Sequence, residues 1–196
     1  MTSTTTRAGG LRGIARDAVR ARIAEVAVDL FSERGFDAVT IEQIAAGVGI
    51  SARSFHRYFP AKEDAVLTDP EAWGLLVRDT VAARPADEDV WTSLRLAYEA
   101  LLEVSDTRDD SRKRVMRVLM STASLRARNL EKHLLWERLL TPIVAARLGG
   151  GDAALRARTV VQASLVCFDT ALTAWAEPEE HRSPADLLAV CFSQLE

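Results

Sequence analysis

Apolar side chains recur every three or four residues along most of the chain, the spacing that gathers them on one face of an α-helix. In the first such run, Ile14 to Phe31, charged residues separate the apolar positions, and Arg34-Gly35 is a typical helix end. No segment alternates apolar and polar residues between hairpin turns. The sequence therefore predicts an all-α fold of about nine helices, the later ones near 61–83, 87–104, 110–123, 125–148, 152–176 and 185–195.

Two short predicted helices follow the first one and carry strong capping signals. Thr40 is a good N-cap, and Gln43 three residues later completes a capping box. After a glycine-containing turn, Ser51 caps a further helix that runs to about Phe59, where Pro60 ends it. Two short helices joined by a tight turn predict a helix-turn-helix.

The pattern divides the chain into three regions. Residues 1–11 are rich in Thr, Ser and Gly and are predicted to be a disordered arm. Residues 12–61 are the predicted helix-turn-helix domain, and residues 62–196 are a second predicted helical domain. Within the last region, Asp69-Pro70 predicts a helix restart with Asp as the cap and Pro at the first helical position.

Charge is distributed unevenly along the chain. Residues 1–62 hold nine basic and six acidic side chains, whereas residues 63–196 hold sixteen basic and twenty-two acidic ones. A mildly basic front half joined to an acidic back half is typical of a protein with one end facing a polyanion.

Composition excludes several classes of protein. Two cysteines are too few for a disulfide scaffold or a four-cysteine zinc site, and neither a metal nor a cofactor is predicted. No run reaches the roughly 18 apolar residues of a membrane helix, and residues 1–10 lack an apolar signal segment, so we expect a cytoplasmic protein without a membrane partner. No phosphate-binding loop or nucleophile elbow marks an enzyme. The alternatives to a polyanion-binding function are an enzyme and a helical protein-interaction module that binds no DNA operator.

The helix that begins after Ser51 offers the chemistry of DNA recognition, because the second helix of a helix-turn-helix enters the major groove. Arg53 is the candidate base reader, since a guanidinium pairs bidentately with guanine O6 and N7. Ser54 suits a base or a phosphate. The whole polar face comprises Ser51, Ala52, Arg53, Ser54, His56, Arg57 and Tyr58. The alternative is that both short helices are a structural element of a helical bundle.

The segment TIEQIAAGVGISARSFHRYFPAKE, residues 40–63, resembles the DNA-binding segment of the tetracycline-repressor (TetR) family. The resemblance covers residues 12–63 and implies a ligand-responsive repressor that binds a palindromic double-stranded DNA operator as a homodimer. It also implies phosphate contacts, which set register and carry no sequence code, at Thr40, Ser51, His56, Tyr58 and Lys62. Two positions depart from the family pattern. Arg53 stands where Gly is common, and His56 replaces the usual Tyr, although a neutral imidazole still donates one hydrogen bond.

The back half carries a second resemblance. The run SLRARNLEK at 124–132 followed by Trp136-Glu137-Arg138 resembles the C-terminal domain of the TetR branch typified by regulators of mycofactocin gene clusters. That resemblance implies that residues 62–196 are a domain for ligand binding and dimerisation and that the small-molecule effector is of the acyl-thioester type.

Large aromatic and Met side chains of the back half also suit an apolar ligand pocket, although at helical spacing they equally suit a plain core. The candidate pocket residues are Trp73, Leu76, Trp91, Leu94, Tyr98, Met116, Leu119, Met120, Trp136, Leu140 and Phe168. Four basic residues form either a solvated face or a clamp for a phosphate-bearing ligand: Arg112, Lys113, Arg114 and Arg117.

The last two predicted helices carry more apolar surface than one helix face needs. The family resemblance implies a two-fold dimer through these helices, and two recognition helices about 34 Å apart would enter successive major grooves. The candidate interface residues are Val161, Leu165, Phe168, Leu172, Trp175, Leu188 and Phe192.

Overall fold

The computed structural model describes residues 11–67, 69–104 and 109–195, and within them it has helices and no strand. The helices are α1 (Leu11–Arg34), α2 (Ile41–Val48), α3 (Ala52–Phe55), α4 (Pro70–Ala83), α5 (Val90–Val104), α6 (Asp109–Ser121), α7 (Ala123–Leu148), α8 (Ala153–Trp175) and α9 (Pro184–Phe192), with a 3-10 turn at Lys62–Ala65. The predicted all-α fold is confirmed. None of the described helices is long and apolar enough to cross a membrane.

The chain forms two compact units, Met1–Thr68 and Asp69–Glu196, called here the first and the second unit. The 3-10 turn packs against α1 and so lies in the first unit. Of the predicted disordered arm, residues 1–10 lie outside the described residues, and Leu11 is the first residue of α1.

Two predicted helices differ from the observed ones. The helix after Ser51 is α-helical only to Phe55 and continues as a tight turn, in which the Tyr58 N–H donates to Phe55 O at 2.8 Å. Pro60 ends this turn, because it disfavours the helical conformation at Phe59. The helix predicted near 61 is the single 3-10 turn, and α4 begins separately at Pro70. There the Asp69 carboxylate accepts from the Ala72 N–H at 3.1 Å, as the Asp-Pro pair predicts.

The second unit is built around one core of aromatic and aliphatic side chains. Tyr98 stacks on Phe168 with ring centroids 4.7 Å apart, and the Trp136 ring lies 6.4 Å from Tyr98 and 5.9 Å from Phe168. The Tyr98 hydroxyl is 3.0 Å from Ser164 Oγ, so the buried phenol has a hydrogen-bond partner. Burial raises the pKa of Tyr98 above its usual range.

A buried ionic cluster joins α7 to α8. Asn129 Nδ2 donates to the Asp169 carboxylate, Lys132 Nζ lies 3.4 Å from Oδ1, and His133 Nε2 lies 3.0 Å from Oδ2. Burial by itself raises the pKa of Asp169, but His133, Lys132 and Asn129 together outweigh burial and hold that pKa below its usual range. The carboxylate therefore stays ionised and holds the two helices in register.

Close helix packing occurs where α4 crosses α7. An ideal Cβ at Gly74 would lie 2.7 Å from Trp136 Cδ1 and 2.8 Å from Leu139 Cδ1. The indole N–H of Trp136 donates to Pro70 O at 2.6 Å, which fixes the ring against the first turn of α4. Only a residue without a side chain fits at position 74.

We expect Gly74→Ala to lower the free energy of unfolding of the second unit by about 1–2 kcal/mol. Overpacking costs about 1–3 kcal/mol, and the gain in helix propensity returns up to about 1 kcal/mol. Urea unfolding followed by tryptophan fluorescence measures the free energy of unfolding of the second unit, because all four tryptophans lie there. Gly13→Ala is the control, since a Cβ there meets nothing within 4 Å, and it should leave the tryptophan transition unchanged. An unchanged or higher midpoint for Gly74→Ala would contradict the packing argument.

Candidate nucleic-acid interface

The helix-turn-helix is held by two caps that the sequence predicts. The Thr40 hydroxyl accepts from the Gln43 N–H at 3.3 Å, and the Gln43 side chain accepts from the Thr40 N–H at 2.9 Å, which completes the capping box of α2. Gly49 ends α2 with φ of 78°, a left-handed conformation that favours glycine. The Ser51 hydroxyl then accepts from the Ser54 N–H at 3.1 Å and caps α3.

Two phenylalanines anchor α3 in the first unit. Phe55 is fully buried and Phe59 is 1% exposed, with their ring centroids 5.8 Å apart. Burial of these rings turns the opposite face of the segment outward. Of the predicted reading residues, Ser51, Arg53, His56 and Arg57 are exposed, and Ala52, Ser54 and Tyr58 are half-buried. Arg53, two positions before buried Phe55, lies on the opposite side of α3.

Arg20 of α1 positions the end of this segment, and the sequence analysis did not single it out. Its Nη1 donates to Tyr58 O at 3.0 Å, and its guanidinium lies 4.6 Å from the centre of the Phe59 ring. The sequence does show an Arg on the same face as apolar residues, which could have indicated a contact inside the unit. The partner of Arg20, Tyr58 O, is however 38 residues away. Helical periodicity does not reveal a contact at that separation.

Lys62 donates hydrogen bonds to main-chain partners that the sequence did not predict. Its Nζ donates to Phe36 O at 2.8 Å and to Val39 O at 2.9 Å, and it lies 4.2 Å from the centre of the Phe36 ring. The ammonium therefore stabilises the connection between α1 and α2. The Asp64 carboxylate accepts from the Ala61 N–H at 2.9 Å, so an anion already occupies the start of the 3-10 turn. Lys62 therefore has a structural role that the sequence did not predict, and its phosphate contact stays a prediction, since an ammonium has a third donor.

His56 also has a partner that changes its chemistry. Nδ1 lies 3.2 Å from Pro60 O. Because a carbonyl only accepts, Nδ1 carries the hydrogen, and Nε2 of the neutral ring is then an acceptor. The expectation that a neutral His56 still donates to a phosphate is therefore corrected, since only the protonated ring has a second donor.

The candidate pocket residues of the second unit lie in its packed core. Five of them are buried in one cluster, and Trp73, Leu76, Trp91 and Met116 pack against that cluster. Leu119 is also buried, and Met120 is half-buried. The buried five are Leu94, Tyr98, Trp136, Leu140 and Phe168.

The basic residues at the start of α6 bind main-chain carbonyls. Arg112 Nη1 donates to Leu102 O at 3.2 Å, Lys113 Nζ to Glu180 O at 2.8 Å, and Arg117 Nη1 to Ala176 O at 3.0 Å. Three of the four thus bind carbonyl oxygens near the ends of α5 and α8 or in the segment after α8. Neither the solvated face nor the phosphate clamp includes this role.

The seven candidate interface residues are buried inside the single chain. They are at most 9% exposed, so their side chains build the core and offer little surface to a second copy. The apolar spacing correctly predicts a buried face on α8 and α9. That face is covered by α5 and α7 of the same chain and not by a partner chain. The seven are Val161, Leu165, Phe168, Leu172, Trp175, Leu188 and Phe192. Large apolar side chains that α8 and α9 do expose are Leu155, Val166 and Val190.

Comparison with known proteins agrees with this arrangement. The family model for bacterial regulatory proteins of the tetR family matches residues 23–67, and the MftR C-terminal domain model matches residues 88–196. MftR of Mycobacterium tuberculosis, described as a mycofactocin biosynthesis transcriptional regulator, is 29% identical over 162 residues, covering 80% of this chain and 79% of that protein. The HTH-type transcriptional regulator TcmR of Streptomyces glaucescens is 30% identical over 154 residues, covering 76% of this chain and 68% of that protein.

Solved structures share the fold. The TetR-family repressor FadR of Thermus thermophilus, solved with lauroyl-CoA, superposes with a TM-score of 0.54 at 24% identity over 90% of this chain and 92% of that chain. A TetR-family regulator of Streptomyces coelicolor gives a TM-score of 0.54 at 22% identity, covering 96% of this chain and 97% of that chain. The similar proteins are regulators and not enzymes, as the sequence predicts. The chain belongs to the TetR family of DNA-binding transcriptional regulators, and its back half is an MftR-type C-terminal domain.

Proposed function

We propose that the protein is a ligand-responsive repressor that binds a palindromic DNA operator as a homodimer and reads its bases through Arg53. One observation carries the proposal: Arg53 is exposed on a capped helix whose opposite side is anchored by Phe55, and it has no ion-pair partner within the described ranges. An uncommitted guanidinium on a fixed helix is suited to bidentate pairing with guanine.

The neighbouring side chains supply contacts of two kinds. Ser54 Oγ accepts from Ser51 Oγ at 3.1 Å, so the Ser54 hydroxyl hydrogen is free to donate to a base or a phosphate. The Ala52 methyl suits apolar contact with a thymine methyl group. The proposed phosphate contacts, which fix register, come from Thr40, Ser51, Arg57, Tyr58 and the third donor of Lys62.

A second copy of the chain is the proposed partner at the outer surface of α8 and α9. Cys167 Sγ lies 3.6 Å from Cys191 O, so the two helices meet at that level. The residues just before these cysteines, Val166 and Val190, are 61% and 50% exposed. Exposed apolar side chains on adjoining helices support a two-fold contact, in which the same patch serves both subunits.

The proposed effector is an amphipathic molecule with a long apolar part, such as an acyl thioester. Support comes from the aromatic core of the second unit, from the MftR-type domain and from the fold shared with a repressor solved with lauroyl-CoA. Tyr98, Trp136 and Phe168 pack against one another, so the effector has to separate them in order to enter. It lowers operator affinity only as far as it prefers the DNA-free state. Because the chromosome is its target, the proposed location is the cytoplasm.

Arg53→Ala is expected to weaken binding to a duplex selected from a random oligonucleotide pool by roughly 5- to 150-fold per half-site, the value of about 1–3 kcal/mol for one bidentate base contact. Binding to mixed-sequence duplex should change far less, so specificity falls. Fluorescence anisotropy measures the affinity of each protein for both duplexes. Arg22→Ala is the control, because Arg22 pairs with Glu25 at 3.1 Å on the exposed side of α1. Equal affinities of the Arg53→Ala and wild-type proteins for the selected duplex would contradict base reading by Arg53, and a wild-type protein that binds neither duplex would favour a protein-interaction module instead.

Lauroyl-CoA is expected to release the protein from the selected duplex, lowering operator affinity by roughly 5- to 150-fold, the usual range of coupling between two sites. The same titration with free coenzyme A is the control and should leave affinity unchanged, because it lacks the apolar chain. Quenching or enhancement of tryptophan fluorescence should accompany release, since Trp136 lies in the core that the acyl chain enters. No change of operator affinity up to the solubility limit of lauroyl-CoA would reject a long-chain acyl thioester as effector.

A further inference from the structure

A groove on the first unit lies beside the DNA-reading segment and has no role so far. It has a volume of about 520 Å³ and is lined by Ala15, Arg16 and Val19 of α1 together with Arg57 and Tyr58, which follow α3. Arg57 and Tyr58 belong to the face proposed to bind DNA. Arg16 has no part in the predicted DNA-binding residues or in the proposed function.

The charge of this groove has one sign. Arg16 and Arg57 are exposed, and no acidic residue lines the groove. Within residues 11–67 neither guanidinium has an ion-pair partner, whereas Arg22 of the same helix pairs with Glu25. The Arg57 guanidinium lies 5.9 Å from the centre of the Tyr58 ring, and an anion that enters the groove is attracted by both arginines.

The other lining residues suit the same occupant. Ala15, Val19 and Tyr58 add apolar surface to the lining of the groove beside the two cations. A nucleic-acid backbone alternates anionic phosphates with largely apolar sugars, and Arg is a preferred partner of phosphate oxygens. A small inorganic anion would use the cations but leave the apolar surface uncovered.

The position of the groove is fixed relative to α3. Arg20, one helical turn after Arg16, donates to Tyr58 O at 3.0 Å and so ties α1 to the end of the reading segment. Residues 16 and 20 lie on the same face of α1, because they are four positions apart. The groove is thus continuous with the surface that carries Arg53 and His56.

We propose that the groove between Arg16 and Arg57 binds the sugar–phosphate backbone of the DNA that α3 reads, and that Arg16 is a phosphate contact contributed by α1. The inference rests on the DNA binding of the proposed function, but it does not depend on which bases Arg53 reads. A contact of this kind adds affinity equally to every sequence and extends the bound duplex beyond the bases in the major groove.

Salt dependence of binding tests the proposal. Each lost phosphate contact reduces the slope of log K against log salt by about 0.9, so Arg16→Ala should reduce it by about 1.8 for a dimer. We would measure anisotropy of a fluorescein-labelled 40-bp mixed-sequence duplex, and of the selected duplex, from about 50 to 250 mM NaCl. Arg16→Lys should keep the wild-type slope, and Arg22→Ala is the matched control on the same helix. Circular dichroism checks that each variant keeps its helix content.

The outcomes separate this inference from the proposed function. Equal loss of affinity for both duplexes with a reduced slope supports the contact at Arg16, whereas Arg53→Ala should affect the selected duplex preferentially. A slope for Arg16→Ala equal to those of the wild-type and Arg22→Ala proteins overturns the contact while the proposed function stands. A wild-type protein that binds neither duplex at 50 mM NaCl overturns both.

Discussion

A helix of four residues cannot hold its own shape in water, because too few hydrogen bonds repay the entropy of forming its first turn. The reading surface of this protein therefore depends on the burial of Phe55 and Phe59 in the first unit. Each buried ring contributes about 1.5–3 kcal/mol, and the Ser51 cap adds about 1 kcal/mol. Arg20 then fixes the far end of the segment through Tyr58 O. With one side held this firmly, the other side presents Arg53 in a defined orientation.

Apart from the basic residues that pair with carboxylates, two sets of arginines and lysines have different physical roles. One group donates to main-chain carbonyls and so holds chain segments together: Arg20, Lys62, Lys113, Arg117 and Arg147. The other has no ion-pair partner within the described part of the first unit and lies on the α3 side of that unit: Arg16, Arg53 and Arg57. The positive charge of the front half is thus concentrated where a polyanion can approach, although its formal excess is small.

Local features of the fold could be predicted from the sequence because their partners lie within a few residues. The caps at Thr40, Ser51 and Asp69 use acceptors three residues before the bonded N–H, so the sequence displays both partners. The shortening of α3 could not be predicted in this way. The apolar pattern continues to Phe59, although the α-helix ends at Phe55. The exposed face of α3 followed from periodicity together with the family resemblance.

Long-range features could not be predicted in the same way. Apolar spacing on α8 and α9 shows that a face is buried but not whether the same chain or a second copy covers it, so residues such as Phe168 and Phe192 were assigned to an interface although they lie in the core. Lys62 finds its carbonyl partners 23 and 26 residues away, where no spacing rule applies. Charge alone favoured a phosphate, whereas the fold supplies two carbonyl oxygens.

The central claim is that the face opposite Phe55 reads DNA bases in a two-fold symmetric assembly. Repeated selection of bound sites from a random oligonucleotide pool, with the wild-type and Arg53→Ala proteins in parallel, tests it most directly. The account predicts an inverted repeat whose half-sites are about 10 base pairs apart, with a guanine in each half-site that the variant no longer enriches. Recovery of no common sequence, or of the same guanine-containing repeat by both proteins, would contradict it.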